Sequence, residues 1–105
     1  MIDEVTINVG KQFSQYPVGR LRQDGSGSGE EFRDRLLIPL LEKKHSKINV
    51  ELDDAIGYGS SFLEEAFGGL VRKGYVVKDL LKIFNFISED LSLVHEITAY
   101  ISEAR

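Results

Sequence analysis

The segment from Gly57 to Leu63 places two glycines and two serines at a junction that could carry chemistry. It reads GYGSSFL and follows an apolar-alternating run typical of a β-strand. Gly57 and Gly59 match the first two glycines of the dinucleotide-binding pattern G-x-G-x-x-G. Phe62 stands where that pattern requires glycine or alanine, and the sequence contains no Gly-Lys-Ser/Thr phosphate loop. The residues therefore argue against a nucleotide cradle.

The same serines could act as nucleophiles if the segment formed the G-x-S-x-G elbow of hydrolases. Ser60 lacks the required glycine on both sides, and Ser61 lacks it on one side. The two histidines of the chain, His45 and His95, are remote from both serines in sequence. Isolated histidines without a spaced carboxylate pair do not favour a metal site. We therefore expect no catalytic residues, no metal and no cofactor.

Arg20 and Arg22 form a second candidate site, because side chains two residues apart leave the same face of an extended chain. Paired guanidinium groups can hold a phosphate or a carboxylate through two hydrogen bonds each. The glycine-rich run DGSGSG follows them at residues 24–29, and its composition is typical of a mobile binding loop. The alternative is that two exposed arginines decorate an edge strand, where charge discourages pairing between sheets.

Composition limits the class of protein. The 105 residues suit one domain, predicted over residues 1–105, and the absence of cysteine excludes disulfides and Cys-based zinc sites. The net charge of −4 argues against non-specific nucleic-acid binding. No apolar run could span a membrane, and the acidic first residues do not resemble a signal peptide. We expect a cytoplasmic protein that binds neither nucleic acid nor membrane.

Strand and helix patterns alternate along the chain, which favours an α/β fold. Strand periodicity marks residues 5–9 and 47–52, the run LLKIFNFIS at residues 80–88 is predicted as another strand, and a further short strand is predicted for residues 18–22. The predicted architecture is a mixed β-sheet covered by helices, with residues 47–52 inside the sheet. Six apolar residues are expected to be buried together: Ile48, Val50, Leu52, Phe67, Leu70 and Val71.

Serines stand where the helices are expected to begin. Ser28 and Glu31 fit a capping box at the first long helix, and Ser61 and Glu64 fit a second one. On this interpretation Ser61 stabilises its helix by about 1 kcal/mol and has no other role. Pro39 lies inside the first helical pattern and predicts a kink or an early end there. The last helix is expected to be capped by Ser88 or Ser92.

Residues 50–75 resemble the strand–turn–helix of STAS domains, the fold of bacterial anti-sigma-factor antagonists, and read VELDDAIGYGSSFLEEAFGGLVRKGY. The D-S-S-G motif of that family aligns without gaps on residues 59–62, which places its phosphorylated serine at Ser60. Gly59 replaces the aspartate of the motif, and Phe62 replaces its last glycine. The runs DGSGSGEEFR and GYGSSFLEEAFGGLVR resemble STAS-like domains of unassigned function in bacteria and archaea. This resemblance implies a single STAS-like domain over most of the chain.

The resemblance also implies a function. It suggests a non-enzymatic regulatory module that docks a protein partner and is phosphorylated on Ser60 by an ATPase-kinase of the GHKL type. The expected contact residues are those of the turn: Tyr58, Gly59, Ser60, Ser61 and Phe62. A second hypothesis is a small-anion or nucleotide sensor, with a pocket formed by Arg20, Arg22 and the helix start at Ser60. A third is a structural adaptor without a switch.

Overall fold

A three-stranded β-sheet forms the centre of the structure, a computed structural model that describes residues 3–105. The strands are β1 (Glu4–Asn8), β2 (Lys47–Glu51) and β3 (Phe84–Ile87), in the order β1-β2-β3. β2 is therefore the central strand, which confirms the placement of this segment inside the sheet. The first two residues of the predicted domain 1–105 lie outside the described residues.

The strand pairs of the described sheet are all parallel, so the prediction of a mixed sheet is wrong. Ile7, Val50 and Phe86 lie side by side across the three strands and share one apolar face. Successive side chains of a strand point to opposite faces, so the residues between these apolar positions form a polar row on the other face. That row consists of Thr6, Asn49 and Asn85.

The described chain has five helices besides the short 3-10 helix Arg22–Asp24, and the last of them follows the sheet. α1 is the single turn Val9–Gln12, α4 covers Val77–Ile83 and α5 covers Leu91–Glu103. Residues 80–83, predicted to begin the third strand, therefore belong to α4. α2 spans residues 29–42 as three consecutive segments: Gly29–Phe32, the π-helical Arg33–Leu37, and Ile38–Glu42. α3 spans residues 60–72 in the same way: Ser60–Leu63, the π-helical Glu64–Gly68, and Gly69–Arg72. None of the helices in residues 3–105 combines the length and the apolar character that crossing a membrane would require.

Pro39 is the second residue of the last segment of α2. Its nitrogen carries no hydrogen and cannot donate to a carbonyl in the preceding turn. The π-helical stretch Arg33–Leu37 ends immediately before that segment. The predicted irregularity at Pro39 is therefore a local widening of the helix rather than an early end, and α2 continues to Glu42.

The strand predicted for residues 18–22 is not formed. The carbonyl groups of this part of the chain bind the starts of two helices instead. The Gly29 N–H donates to the Gly19 carbonyl at 2.9 Å, and the Gly59 N–H donates to the Pro17 carbonyl at 2.9 Å. The first N–H groups of a helix have no acceptor within the helix. The segment therefore satisfies backbone donors that a strand in the sheet would have left open.

An aromatic cluster packs the helices against the apolar face of the sheet. Phe67 of α3 meets Phe84 and Phe86 of β3 edge to face, with ring centroids 5.7 and 5.3 Å apart. Phe32 of α2 meets Phe67 in the same way at 6.2 Å. Five of the six predicted core residues are confirmed as fully buried: Ile48, Val50, Leu52, Phe67 and Leu70. Val71 is only half-buried and lies at the margin of this core.

Ser28 caps α2 as predicted. Its Oγ accepts a hydrogen bond from the Glu31 N–H at 3.1 Å, and Ser28 is fully buried. The Glu31 carboxylate accepts from the Gly27 N–H at 3.1 Å rather than from the N–H of Ser28. Two donors at the helix start are thus satisfied, with the second bond shifted by one residue from the usual capping box.

The predicted caps of the two later helices are wrong. α3 begins at Ser60, its N-cap is Gly59, and no side chain caps it. Ser61 is therefore the second residue of the helix, where its hydroxyl has no capping role. α5 is capped by Asp90, whose carboxylate accepts from the N–H groups of Ser92 and Leu93.

α2 and α3 approach each other closely at Gly29. A Cβ atom on Gly29 would lie 2.4 Å from the Phe62 carbonyl oxygen and 3.2 Å from the Ala66 nitrogen. Because both neighbours are backbone atoms, a helix would have to shift to make room. Glycine is therefore required at this contact by packing and not by an unusual φ angle.

We expect Gly29→Ala to destabilise the protein by about 1–3 kcal/mol, because overpacking outweighs the better helix propensity of alanine. Gly57→Ala is the matched control, since no atom lies within 4 Å of the Cβ that it would add. The control should leave stability unchanged or raise it by up to about 1 kcal/mol. Urea unfolding compares the two variants, and equal stabilities would contradict the contact at Gly29.

A second pair of variants checks the caps. Ser28→Ala removes a buried cap and should lower the free energy of unfolding by about 1 kcal/mol. Ser61→Ala changes an exposed residue without a capping bond and should alter it by less than about 0.5 kcal/mol. Melting curves of both variants measure the difference. If Ser61→Ala is the more destabilising change, Ser61 is the N-cap and α3 starts two residues later than described.

Candidate functional site

The turn between β2 and α3 lies at the carboxyl end of the central strand, the edge where open α/β sheets bind ligands. The Asp53 carboxylate accepts hydrogen bonds from the Ser88 hydroxyl at 2.5 Å and from the Glu89 N–H at 2.8 Å. The Tyr58 hydroxyl donates to the Leu52 carbonyl at 2.7 Å. Both ends of the turn are therefore attached to the strands below it.

The structure separates the five residues predicted to contact a partner. Ser60 and Ser61 are exposed in the first turn of α3, while Tyr58 and Gly59 are half-buried. Phe62 is fully buried and packs among the other phenylalanines of the core. The side chain of Phe62 therefore does not reach the surface, and a contact between Phe62 and a partner stays a prediction that this geometry does not favour.

Three exposed apolar side chains lie near the start of α3. Tyr16, Val18 and Ile56 expose 63%, 55% and 67% of their surface. The Ile56 N–H donates to the Gln15 carbonyl at 2.8 Å, and a Cβ on Gly59 would lie 3.4 Å from the Val18 Cα. We call these three side chains the apolar rim. Sequence reasoning missed the rim because its members lie on two loops that have no periodic pattern.

A cleft of about 480 Å³ opens between the β2–α3 turn and the start of α5. Ile56 of the apolar rim lines one side of this cleft. Carboxylates line both sides, and no described lining residue is Lys, Arg or His. The four acidic lining residues are Asp53, Glu89, Asp90 and Glu96.

Hydrogen bonds keep two of these carboxylates ionised. The Ser88 hydroxyl, followed by a backbone N–H, lowers the pKa of Asp53 below its ordinary value. The Ser92 hydroxyl, again followed by a backbone N–H, lowers the pKa of Asp90. Burial raises the pKa of Tyr58, so its phenol stays neutral. The cleft is therefore anionic at neutral pH.

Arg20 belongs to an ion-pair network on the side of α3. Its Nη1 lies 2.6 Å from a Glu64 carboxylate oxygen and 3.2 Å from a Glu65 oxygen. Arg72 binds the same Glu64 carboxylate through two hydrogen bonds, of 2.8 and 3.0 Å. The other oxygen of Glu65 lies 2.5 Å from Nη1 of the buried Arg33. The network thus extends from the surface to the interior.

The structure lacks the arrangement of Arg20 and Arg22 from which an anion-binding site was predicted. Residues 18–22 are not a strand, so strand alternation does not place the two side chains on one face. Arg22 is exposed, and its guanidinium forms no hydrogen bond or ion pair within the described chain. An anion that binds Arg20 would have to displace a glutamate carboxylate. Anion binding at this pair stays a prediction that the geometry does not favour.

Ser60 also lies close to α5. The Tyr100 hydroxyl donates to the Glu96 carboxylate at 2.7 Å, and this bond raises the pKa of Tyr100. The Ser60 hydroxyl interacts with the same phenol and lowers the pKa of Tyr100. Since Glu96 lines the cleft, the start of α3 and the cleft are neighbours.

The histidines lie apart from any metal-binding arrangement. His45 is half-buried, with its Nδ1 3.0 Å from the Asp3 carboxylate, and His95 is exposed on α5. Within residues 3–105, no group of three or more His, Asp or Glu side chains could hold a metal ion.

The ion pairs of Glu64 predict a pH dependence. Arg72, and then Arg20, lower the pKa of Glu64 below its ordinary 4.5. The stability gained from ionised Glu64 is therefore complete above pH 4.5 and is lost as the pH falls through the lower folded-state pKa. We expect Glu64→Gln to destabilise the protein by about 1–2 kcal/mol at neutral pH and by progressively less in acid.

Melting temperatures of the wild type and of Glu64→Gln, measured from neutral pH down to about pH 3, test this expectation. Glu103→Gln is the control, because Glu103 is exposed and forms no ion pair within the described chain. Its effect should be small at every pH. A constant difference between Glu64→Gln and the wild type across the range would show that charge is not the cause.

Comparisons with known proteins place the chain in a family. No curated protein and no solved structure matches it at a significant level. A family model described as a STAS-like domain of unknown function (DUF4325) matches residues 28–92. The matched part begins at the cap of α2, contains β2, α3, α4 and β3, and ends in the first turn of α5. Since the match covers more than half of the chain, the protein belongs to this family of STAS-like domains of unknown function.

Proposed function

We propose that the chain is a non-enzymatic regulatory module that docks a protein partner at the start of α3, and that phosphorylation of Ser60 controls this docking. The observation that carries the proposal is the exposure of Ser60 near the apolar rim. Adjacent exposed apolar side chains on a small domain favour contact with another protein. A serine beside them can be modified without unfolding the domain, and its charge then opposes a dry contact.

The charges around Ser60 support a switch. The first N–H groups of α3 are free of side-chain caps and favour a nearby anion. Glu64 lies one helical turn further along, and it already shares Arg20 and Arg72. A phosphate on Ser60 would compete with Glu64 for these arginines. Arg20 lies two residues after Val18 of the apolar rim, so this competition would also disturb the docking surface.

The resemblance to anti-sigma-factor antagonists supports a GHKL-type ATPase-kinase as the partner and as the enzyme that phosphorylates Ser60. Gly59 and Phe62, the two residues that differ from the D-S-S-G motif, each have a structural role in this chain. Gly59 packs against Val18, and Phe62 is a core residue. Both changes leave Ser60 exposed, so they do not remove the feature that the proposal needs.

Other functions receive less support from the geometry. Neither serine has both glycines of a hydrolase elbow, which supports a non-enzymatic role. An anion or nucleotide sensor would need a cationic pocket, whereas Arg20 is held by two glutamates and the cleft is acidic. A structural adaptor would not need an exposed serine at the docking surface.

Phosphorylation and docking can be measured with a purified GHKL-type ATPase-kinase from the source organism and ATP. We expect one phosphate per chain, located on Ser60 by mass spectrometry, and lost in Ser60→Ala. Ser61→Ala should still be phosphorylated, because the neighbouring exposed serine is not the acceptor. Incorporation on Ser61 alone would contradict the assignment.

Binding titrations with the same kinase test the effect of charge. Ser60→Asp should weaken the complex about tenfold to a hundredfold, which corresponds to about 1.4–2.8 kcal/mol. Ser60→Asn has a similar shape without the charge and should bind nearly as well as the wild type. If Ser60→Asp binds like the wild type, the switch is disproved. If the aspartate and asparagine variants weaken binding equally, shape and not charge controls docking.

A further inference from the structure

α4 presents a basic and apolar surface that nothing in the described chain covers. Lys78 and Lys82 are exposed, and neither forms an ion pair within residues 3–105. Leu81 is 40% exposed, and Val76, just before the helix, is 59% exposed. Asp79 is the one acidic residue of α4. We call Val76, Lys78, Leu81 and Lys82 the basic face.

The basic face and the acidic cleft lie at opposite ends of the molecule. α4 ends where β3 begins, so it lies towards the amino ends of the parallel strands. The cleft is formed by the segments that follow the carboxyl ends of β2 and β3. Because the two surfaces lie towards different ends of the strands, they do not meet within one molecule. They can meet on two copies.

The cleft has the chemistry that complements the basic face. Its four carboxylates form no ion pair with a lysine or arginine in the described chain, whereas the glutamates of the α3 network do. Ile56 lines the cleft and is 67% exposed. Leu91 is also 67% exposed and lies in sequence between two lining residues. The cleft therefore combines four carboxylates with two exposed apolar side chains, and the basic face combines two lysines, beside the single Asp79, with two exposed apolar side chains.

We infer that the protein associates with itself head to tail, with the basic face of one copy seated in the acidic cleft of the next. Lys78 and Lys82 then face the cleft carboxylates, and Leu81 and Val76 meet Ile56 and Leu91. Opposite charges steer the approach and set the register of such a contact. Burial of the apolar side chains supplies affinity.

The contact joins two different surfaces, so it does not close on a pair of molecules. Each added copy leaves a free cleft at one end and a free basic face at the other until three or more copies close into a ring. The mean mass should therefore rise steadily with concentration instead of stopping at a dimer. Salt should weaken the association, because the Debye length falls from about 10 Å at 0.1 M to about 3 Å at 1 M.

Sedimentation equilibrium of the purified chain over a range of concentrations at low ionic strength tests this inference. We expect the mean mass to rise with concentration for the wild type. Glu89→Lys places a positive charge among the three remaining cleft carboxylates, and Lys78→Glu with Lys82→Glu reverses the basic face. Each variant alone should associate about tenfold more weakly or worse. An equimolar mixture of the two should regain association as a heterodimer, because the intact basic face of the first variant fits the intact cleft of the second.

The controls separate this contact from a general effect of charge. Glu103→Lys changes the net charge as Glu89→Lys does, but it lies outside the cleft and should associate like the wild type. All the substituted residues are exposed, so the melting curves should match that of the wild type. A monomer at every concentration in low salt would overturn the inference. A wild-type mean mass that stops at a dimer would also overturn it. So would a mixture of the two variants that stays monomeric.

Discussion

The buried ion pair between Arg33 and Glu65 is the interaction on which the arrangement of α2 and α3 depends. Arg33 is only 5% exposed, and a charge in that position must be paired. Both residues lie in π-helical stretches, so the pair joins the helices where each backbone is widened. Gly69 provides the space, since a Cβ there would lie 2.6 Å from the Arg33 Nη1. Arg33 has a second charged partner in Asp34, whose carboxylate oxygen lies 2.9 Å from the Arg33 Nε.

The same pair connects the interior to the candidate site. Glu65 also binds Arg20, and the chain that carries Arg20 caps the start of α3 through the Pro17 carbonyl and Gly59. Ser60 therefore follows a helix start that is anchored by backbone hydrogen bonds and by the ion pairs one turn later. Its own hydroxyl contributes little to that anchoring, since it is exposed and does not cap the helix. A substitution or a modification of Ser60 is therefore compatible with an unchanged position of the helix.

The sequence predicted those parts of the structure that depend on local periodicity. β1, β2 and the aromatic half of β3 follow from alternation, because one face of the sheet is buried and the other is polar. Alternation failed at residues 18–22, where the carbonyl groups of Gly19 and Arg20 bind the start of α2, ten residues further along the chain. Alternation also gave no information about Glu64 and Glu65, the partners of Arg20, which lie 44 and 45 residues away in the chain. The capping box at Ser61 had the right residue types, but the N-cap of α3 is Gly59, two residues earlier, which has no side chain to reveal it.

The acidic residues of the chain divide according to what satisfies them. The negative charges of Glu64 and Glu65 are balanced by arginines of the same chain. Asp53 and Asp90 are satisfied by hydroxyl and backbone N–H groups, which stabilise a carboxylate without cancelling its charge. The cleft therefore keeps its negative field and projects it into solvent at the end of the molecule that carries Ser60. Anything that docks there must complement this field. A phosphate on Ser60 would strengthen the field, which opposes an acidic partner and favours a basic one.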